Sequence, residues 1–280
     1  MDKIREGVLK EIFDALEDAF RATGIDYYLI GAQARDIWYS RDNKVARQTN
    51  DVDFAVQVGS AEEYRALRSY LKEHKAYRET KSSSFVMLTP EGAEVDILPF
   101  GELEIDNSVI LAGEGLHNIK VNGFMEVYRS GTEEVTMPTG HHFKIATLPA
   151  IVMLKLISYD DRPEVRLKDP LDIASIIEQY FDLQANHIYD SHADIFVDGA
   201  LNLEESKLDE ISAIVIGREI RKIAGTNPAL LNRLQSMLQK HIALREYSAF
   251  IRGMVAGTDE TVNYKTLLLE RMYGGLDAEN

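Results

Sequence analysis

The sequence predicts an α+β protein in which a sheet of a few strands is covered by helices and is followed by a mainly helical region. Three observations predict it. Helical and strand-like hydrophobic spacings alternate along the first half, a Pro90-Glu91-Gly92 turn joins two apolar runs as a hairpin, and the spacing turns helical from about Leu148 to the end. The expected division is a core domain over residues 1–147 and a helical domain over residues 148–280.

Across residues 2–22, Ile4, Val8, Ile12, Leu16 and Phe20 recur at four-residue steps with Leu9 and Phe13 beside them, which makes one helical face apolar. Gly24 suits the end of that helix, and Tyr27-Tyr28-Leu29-Ile30 reads as a short buried strand stopping at Gly31. A short helix is expected over residues 32–39. A polar connection then leads to Asp51-Val52-Asp53-Phe54-Ala55-Val56-Gln57-Val58, rich in strand-forming residues, and helical spacing returns over residues 61–73 through Tyr64, Leu67 and Leu71.

Phe85–Leu88 and Glu94–Leu98 form the arms of the hairpin. Phe124–Tyr128 and Glu133–Met137 read as further short strands. In the second half, Leu148–Tyr159 is expected as an amphipathic helix, and Ala185–Gly199 has no clear period and reads as a loop or linker.

The chain has 280 residues, 45% hydrophobic and 28% charged, as in ordinary soluble globular proteins. It has no apolar run long enough to span a bilayer, and its charged start lacks the apolar core of a signal peptide, so no membrane partner is expected and the expected location is the cytoplasm. The absence of cysteine excludes disulfides and thiolate chemistry and leaves carboxylates and histidines as metal ligands. A formal net charge of −15 argues against broad attraction to nucleic acid, and would favour a basic protein partner as readily as it provides a solvated surface.

The segment Thr49-Asn50-Asp51-Val52-Asp53 is the most informative in the chain. Two carboxylates one residue apart on a strand project from the same face and can share a metal ion. Asp96, on an arm of the hairpin, offers a third. Three clustered carboxylates repel one another unless cations neutralise them, so divalent ions, Mg2+ or Mn2+, are implied at Asp51, Asp53 and Asp96, where they would also organise the phosphates of a nucleoside triphosphate. The chemistry expected is in-line attack of a hydroxyl on the α-phosphorus with pyrophosphate leaving, with Asp96 assisting deprotonation. Upstream, Ile30-Gly31-Ala32-Gln33-Ala34-Arg35 places a glycine at a strand-to-helix junction, either a plain tight turn or a cradle for phosphate.

At these residues the chain resembles the nucleotidyltransferase superfamily with a DNA polymerase β-like core, in which a mixed sheet is flanked by helices. It looks closest to the AbiEii/AbiGii-type branch of type IV toxin–antitoxin and abortive-infection systems. The matching residues are Arg47-x-Thr49-x-Asp51-x-Asp53, then Val95-Asp96-Ile97-Leu98-Pro99-Phe100-Gly101, then Leu148-Pro149 through Lys155-Leu156, continuing through Asp161-Arg162 to Lys168-Asp169-Pro170-Leu171-Asp172-Ile173. The resemblance covers roughly residues 25–180. It implies that Asp51, Asp53, Asp96 and Lys155 are catalytic, and that Gly31, Ala32, Arg35, Thr49, Lys155, Arg162, Asp169 and Asp172 serve the nucleotide. Lys155 is expected to meet the triphosphate, with Asp169 and Asp172 supporting the site. The acids, three residues apart on one helical side, could orient Lys155 or Arg162, or serve as N-terminal helix acids. Where the superfamily often has Ser or Gly after the turn glycine, this chain has Ala32, so a hydroxyl contact to phosphate is lost and backbone contacts remain.

The implied activity is transfer of a nucleoside monophosphate from an NTP to a hydroxyl of RNA (such as a tRNA end), a protein or a small molecule, in the setting of a toxin with an antitoxin partner. The competing reading is an inactive nucleotide-binding or regulatory protein acting through a partner. Three further segments carry weaker signals. His141-His142 read as surface or turn histidines, Lys81-Ser82-Ser83-Ser84 as a mobile loop or a contact to phosphate, and Gly217-Arg218-Glu219-Ile220-Arg221-Lys222 as a solvated basic helical face or a guide for RNA.

Overall fold

The computed structural model describes residues 6–42, 51–112, 115–137, 139–197 and 207–278. The chain forms two compact units, Met1–Thr147 and Leu148–Asn280.

The first unit runs α1 (Glu6–Thr23), β1 (Asp26–Ile30), α2 (Gly31–Ser40), β2 (Asp51–Val58), α3 (Ala61–Lys75), β3 (Arg78–Glu79), β4 (Val86–Leu88), β5 (Glu94–Gly101), β6 (Ser108–Ile110), β7 (Asn118–Lys120), α4 (Phe124–Ser130), β8 (Thr132–Thr136) and β9 (His142–Ala146). Among the described residues the main sheet has the order β3-β4-β5-β2-β1-β9-β8, and β6 and β7 make a separate hairpin. β2 pairs with β5 in parallel and with β1 antiparallel, while β1 and β9 are parallel, so the sheet is mixed.

One face of the sheet is held by aromatic packing. Phe54 on β2 meets Phe13 of α1 at 6.1 Å and Phe143 of β9 at 5.7 Å, and Phe20 stacks on Tyr27 at 4.0 Å. Such pairs add directional preference to the burial of large apolar area. α1 ends as its glycine suggests: Gly24 has a φ of 68°, and the Ile25 N–H donates to the Phe20 carbonyl at 3.2 Å. α3 is capped by the Ser60 hydroxyl, which accepts from the Glu63 N–H, and is tied to β5 by the Tyr64 hydroxyl donating to the Ile97 carbonyl at 2.7 Å.

The second unit runs α5 (Leu148–Asp161), α6 (Asp169–Ser191), a 3-10 turn (Ala193–Phe196), α7 (Leu208–Ala224), α8 (Pro228–Leu244), a 3-10 turn (Arg245–Tyr247), α9 (Ala249–Val255) and α10 (Val262–Asp277). α7 and α10 approach backbone to backbone. A Cβ added at Gly217 would lie 2.9 Å from the Leu276 nitrogen, and one at Gly275 would lie 3.0 Å from the Ile214 carbonyl carbon. No helix among the described residues is long and apolar enough to cross a membrane.

Four local expectations change. Phe124–Tyr128 belongs to helix α4, not a strand: Gly123 at φ 89° caps it, and Phe124 and Val127 are buried one turn apart, whereas an apolar run of five residues is too short to tell the two periods apart. α5 is not amphipathic, because residues on all its sides, from Leu148 to Leu154, are buried. The stretch 185–197 is no linker, since α6 continues past a kink at Gln184 to Ser191 and a 3-10 turn follows. Finally, residues 82–84 are pinned: the Ser84 N–H donates to the Leu116 carbonyl and the Leu116 N–H to the Ser82 carbonyl, each at 2.8 Å.

His241, buried between α8 and α9, has a pH consequence. The Ser248 hydroxyl accepts the Ile251 N–H that caps α9, and lies 3.0 Å from His241 Nδ1. Burial first, then the Lys240 charge, pushes the imidazole pKa down to about 4. A group held neutral in the fold stabilises it fully above its unfolded pKa, and loses that contribution as pH falls through the folded value. Lowering the pH from about 7 to about 5 should therefore cost about 2 kcal/mol through this residue. Urea unfolding followed by circular dichroism should show that His241→Gln has a flatter pH dependence than the wild type across this interval.

Candidate active site

β2 lies inside the sheet, and its two neighbours bring the informative residues together. Asp53 is in register with Asp96 across the parallel β2–β5 pair, and with Ile30 across the antiparallel β1–β2 pair. Register partners point to the same face with Cβ atoms about 5 Å apart, so Asp53 and Asp96 stand side by side, both half-buried. Val52, Phe54 and Val56 alternate with Asp53 and are fully buried, which is why this strand presents an acid on one face and core residues on the other.

Gly31 begins α2 at the end of β1 with a φ of 69°. A Cβ there would collide with the Asp53 carboxylate and lie 2.9 Å from its Cγ, so both conformation and space require glycine. The Asp53 carboxylate thus lies against the first residue of a helix. The N-cap of α2 is Ile30, which provides no side-chain cap, and the first turn holds no acid. The first-turn N–H groups of a helix have no partner within the helix itself.

The other expected residues fall as follows. Asp51 opens β2 in register with Glu94. Arg47 and Thr49 lie outside the described residues. Ala32 follows Gly31 in the first turn of α2. Arg35 is turned inward: its guanidinium is 2% exposed and binds Asp36 Oδ1 through Nε at 3.0 Å and Nη2 at 2.8 Å.

In the second unit, Lys155 Nζ donates to Asp169 Oδ1 and to Asp172 Oδ2, each at 2.8 Å, with all three side chains largely buried. Of the two partners that spacing allowed for the acids, Lys155 is thus bound by both. Arg162 follows the end of α5, where burial and then the Arg166 charge pull its pKa down.

One constellation escaped the sequence reading. His187, His192 and Glu219 gather in the second unit, with one ligand atom from each within 4.8 Å of the others, and such a set could coordinate a metal. The only sequence signal was a His-x4-His spacing beside a later helical glutamate. The run Gly217–Lys222 is likewise not a plain solvated face, because Gly217 and Ile220 are buried, Arg218 grips Asp194, and Lys222 binds Glu219. Nor is His141 a surface residue: it is 6% exposed, with Nε2 3.0 Å from Asp14.

Several solved structures match the chain. A solution structure of the antibiotic-resistance factor ANT(2'')-Ia matches at 12% identity over 87% of this chain and 97% of that one, with a TM-score of 0.39. The lincomycin-bound lincosamide antibiotic adenylyltransferase LnuA matches at 19% identity over 54% and 86%, with a TM-score of 0.35. A nucleotidyltransferase-like protein from Paracoccidioides brasiliensis matches at 16% identity over 82% and 93%, with a TM-score of 0.41. No family model and no curated protein matches the chain.

Proposed function

We propose that the chain transfers a nucleoside monophosphate from an NTP to a hydroxyl acceptor, with Asp53 and Asp96, joined by Asp51, as the metal-binding carboxylates. One observation carries this reading: Asp53 and Asp96 are register partners on adjacent parallel strands, and the Asp53 carboxylate lies against Gly31 at the start of a helix. Hard carboxylate oxygens suit Mg2+ or Mn2+, and a cation held by two such groups side by side would relieve their repulsion. When bound, such an ion neutralises carboxylate and phosphate charge and makes an attacking hydroxyl more acidic.

The chain's own groups supply the rest. The first-turn N–H groups of α2 would meet the triphosphate oxygens. Asp96 accepts the proton of the acceptor hydroxyl as that oxygen bonds to the α-phosphorus. The bond from the α-phosphorus to the bridging oxygen breaks, and pyrophosphate leaves with the electron pair. The toxin role and the antitoxin partner belong to the same proposal; a basic antitoxin would complement the formal net charge of −15.

The test is to incubate the pure protein with Mg2+, each NTP labelled at the α- or the γ-phosphorus, and total RNA and protein. Label from the α-position should appear in one fraction, which names the acceptor class, and γ-label should remain soluble. Nucleotide binding without transfer of either label would instead support the inactive, regulatory reading.

A further inference from the structure

His192 follows the last residue of α6 with φ −134° and ψ 30°, a break that ends the helix and lets His192 share a partner with His187, just before its last turn. That partner is a single atom. Glu219 Oε1, on α7, lies 2.9 Å from His192 Nε2, 3.3 Å from His187 Nε2 and 2.6 Å from Lys222 Nζ. A carboxylate oxygen has two lone-pair sites, so three nitrogens converge on an atom able to satisfy two. If the imidazoles are neutral with their protons on Nδ1, their Nε2 lone pairs face the carboxylate and need a cation between them.

The spacing fits such a cation. Ligands about 2.0–2.1 Å from a tetrahedral ion stand about 3.3 Å from one another. The two imidazole-to-carboxylate separations are 3.3 and 2.9 Å, and all three ligand atoms fall within 4.8 Å. Two of the side chains are well covered, His192 at 3% exposure and Glu219 at 19%, while His187 at 38% leaves a route for the ion. Imidazole nitrogens select a borderline ion over Mg2+, which prefers oxygen.

We infer that His187, His192 and Glu219 form a Zn2+ site, with both imidazoles bound through Nε2, one carboxylate oxygen, and a water as the fourth ligand. The site is separate in sequence and ligand chemistry from the carboxylates of β2 and β5. It fastens the end of α6 to α7. His192 also lines a cavity of about 330 Å³ with Ser191, Arg218, Arg221 and Lys222, through which solvent reaches the ion. Lys222, half exposed, turns from Glu219 to solvent when the ion enters.

Untagged protein stripped of metal should bind one equivalent of Zn2+ by calorimetry, and Co2+ in its place should give the absorption spectrum of a tetrahedral ion. His187→Gln and Glu219→Gln should each weaken Zn2+ binding at least about 100-fold. Because His192 is buried and its replacement can unfold the unit, the half-exposed His187 provides the decisive variant, with circular dichroism confirming its fold. Asp53→Asn should bind Zn2+ as the wild type does, which separates this site from the proposed active site. Absence of stoichiometric Zn2+ binding, or binding unchanged in His187→Gln and Glu219→Gln, would overturn the inference.

Discussion

Replacing Asp53 with Asn should lower nucleotidyl transfer at least about 1,000-fold, equivalent to about 4 kcal/mol of transition-state stabilisation, while leaving the fold intact. Asparagine keeps the shape that fits against Gly31 but removes the charge opposite Asp96. The side chain is half-buried and the strand's core residues, Val52, Phe54 and Val56, are untouched, so stability should change little. Initial rates of α-label transfer, measured beside a thermal melt, check both halves of the expectation. A variant that melts normally and retains activity within about tenfold of the wild type would remove Asp53 from the chemistry.

Lys155→Met should destabilise the helical unit by about 3–5 kcal/mol. The ammonium is the shared partner of two carboxylates whose side chains are 7% and 5% exposed, and Asp169 Oδ2 is already buried without a partner. Methionine matches the length and apolar stem of lysine, so the loss comes from charge left uncompensated rather than from a void. Hydrogen exchange of α5 and α6 amides should therefore accelerate strongly. The triple variant Lys155→Met, Asp169→Asn, Asp172→Asn should recover more than half of the loss, because it removes the buried charges together. Equal instability of the single and triple variants would show that packing, not charge, holds this corner.

The strands and helices that position the acids were legible because each has a strong period of its own. Alternation around Phe54 marks β2, and four-residue steps mark α1. Asp96 could be named from its apolar strand, but its register with Asp53 could not, since pairing depends on which edge of β5 meets β2. The inward turn of Arg35, expected to serve the nucleotide, was hidden for a related reason: no periodicity shows that its guanidinium binds its neighbour Asp36. The histidine cluster joins residues 27 and 32 positions apart to Glu219, and one of its ligands is set by a helix ending that no periodicity announces. Five-residue segments such as Phe124–Tyr128 were the least legible, because short apolar runs satisfy both periods.

The seam between α7 and α10 is defined by atoms that are missing. Gly217 and Gly275 let two main chains come within the reach of a methyl group, so the contact owes its closeness to vacated volume rather than to greasy side chains. An exchange at either place for even the smallest chiral residue would wedge the rods apart, and a ranking of residues by oiliness would overlook both.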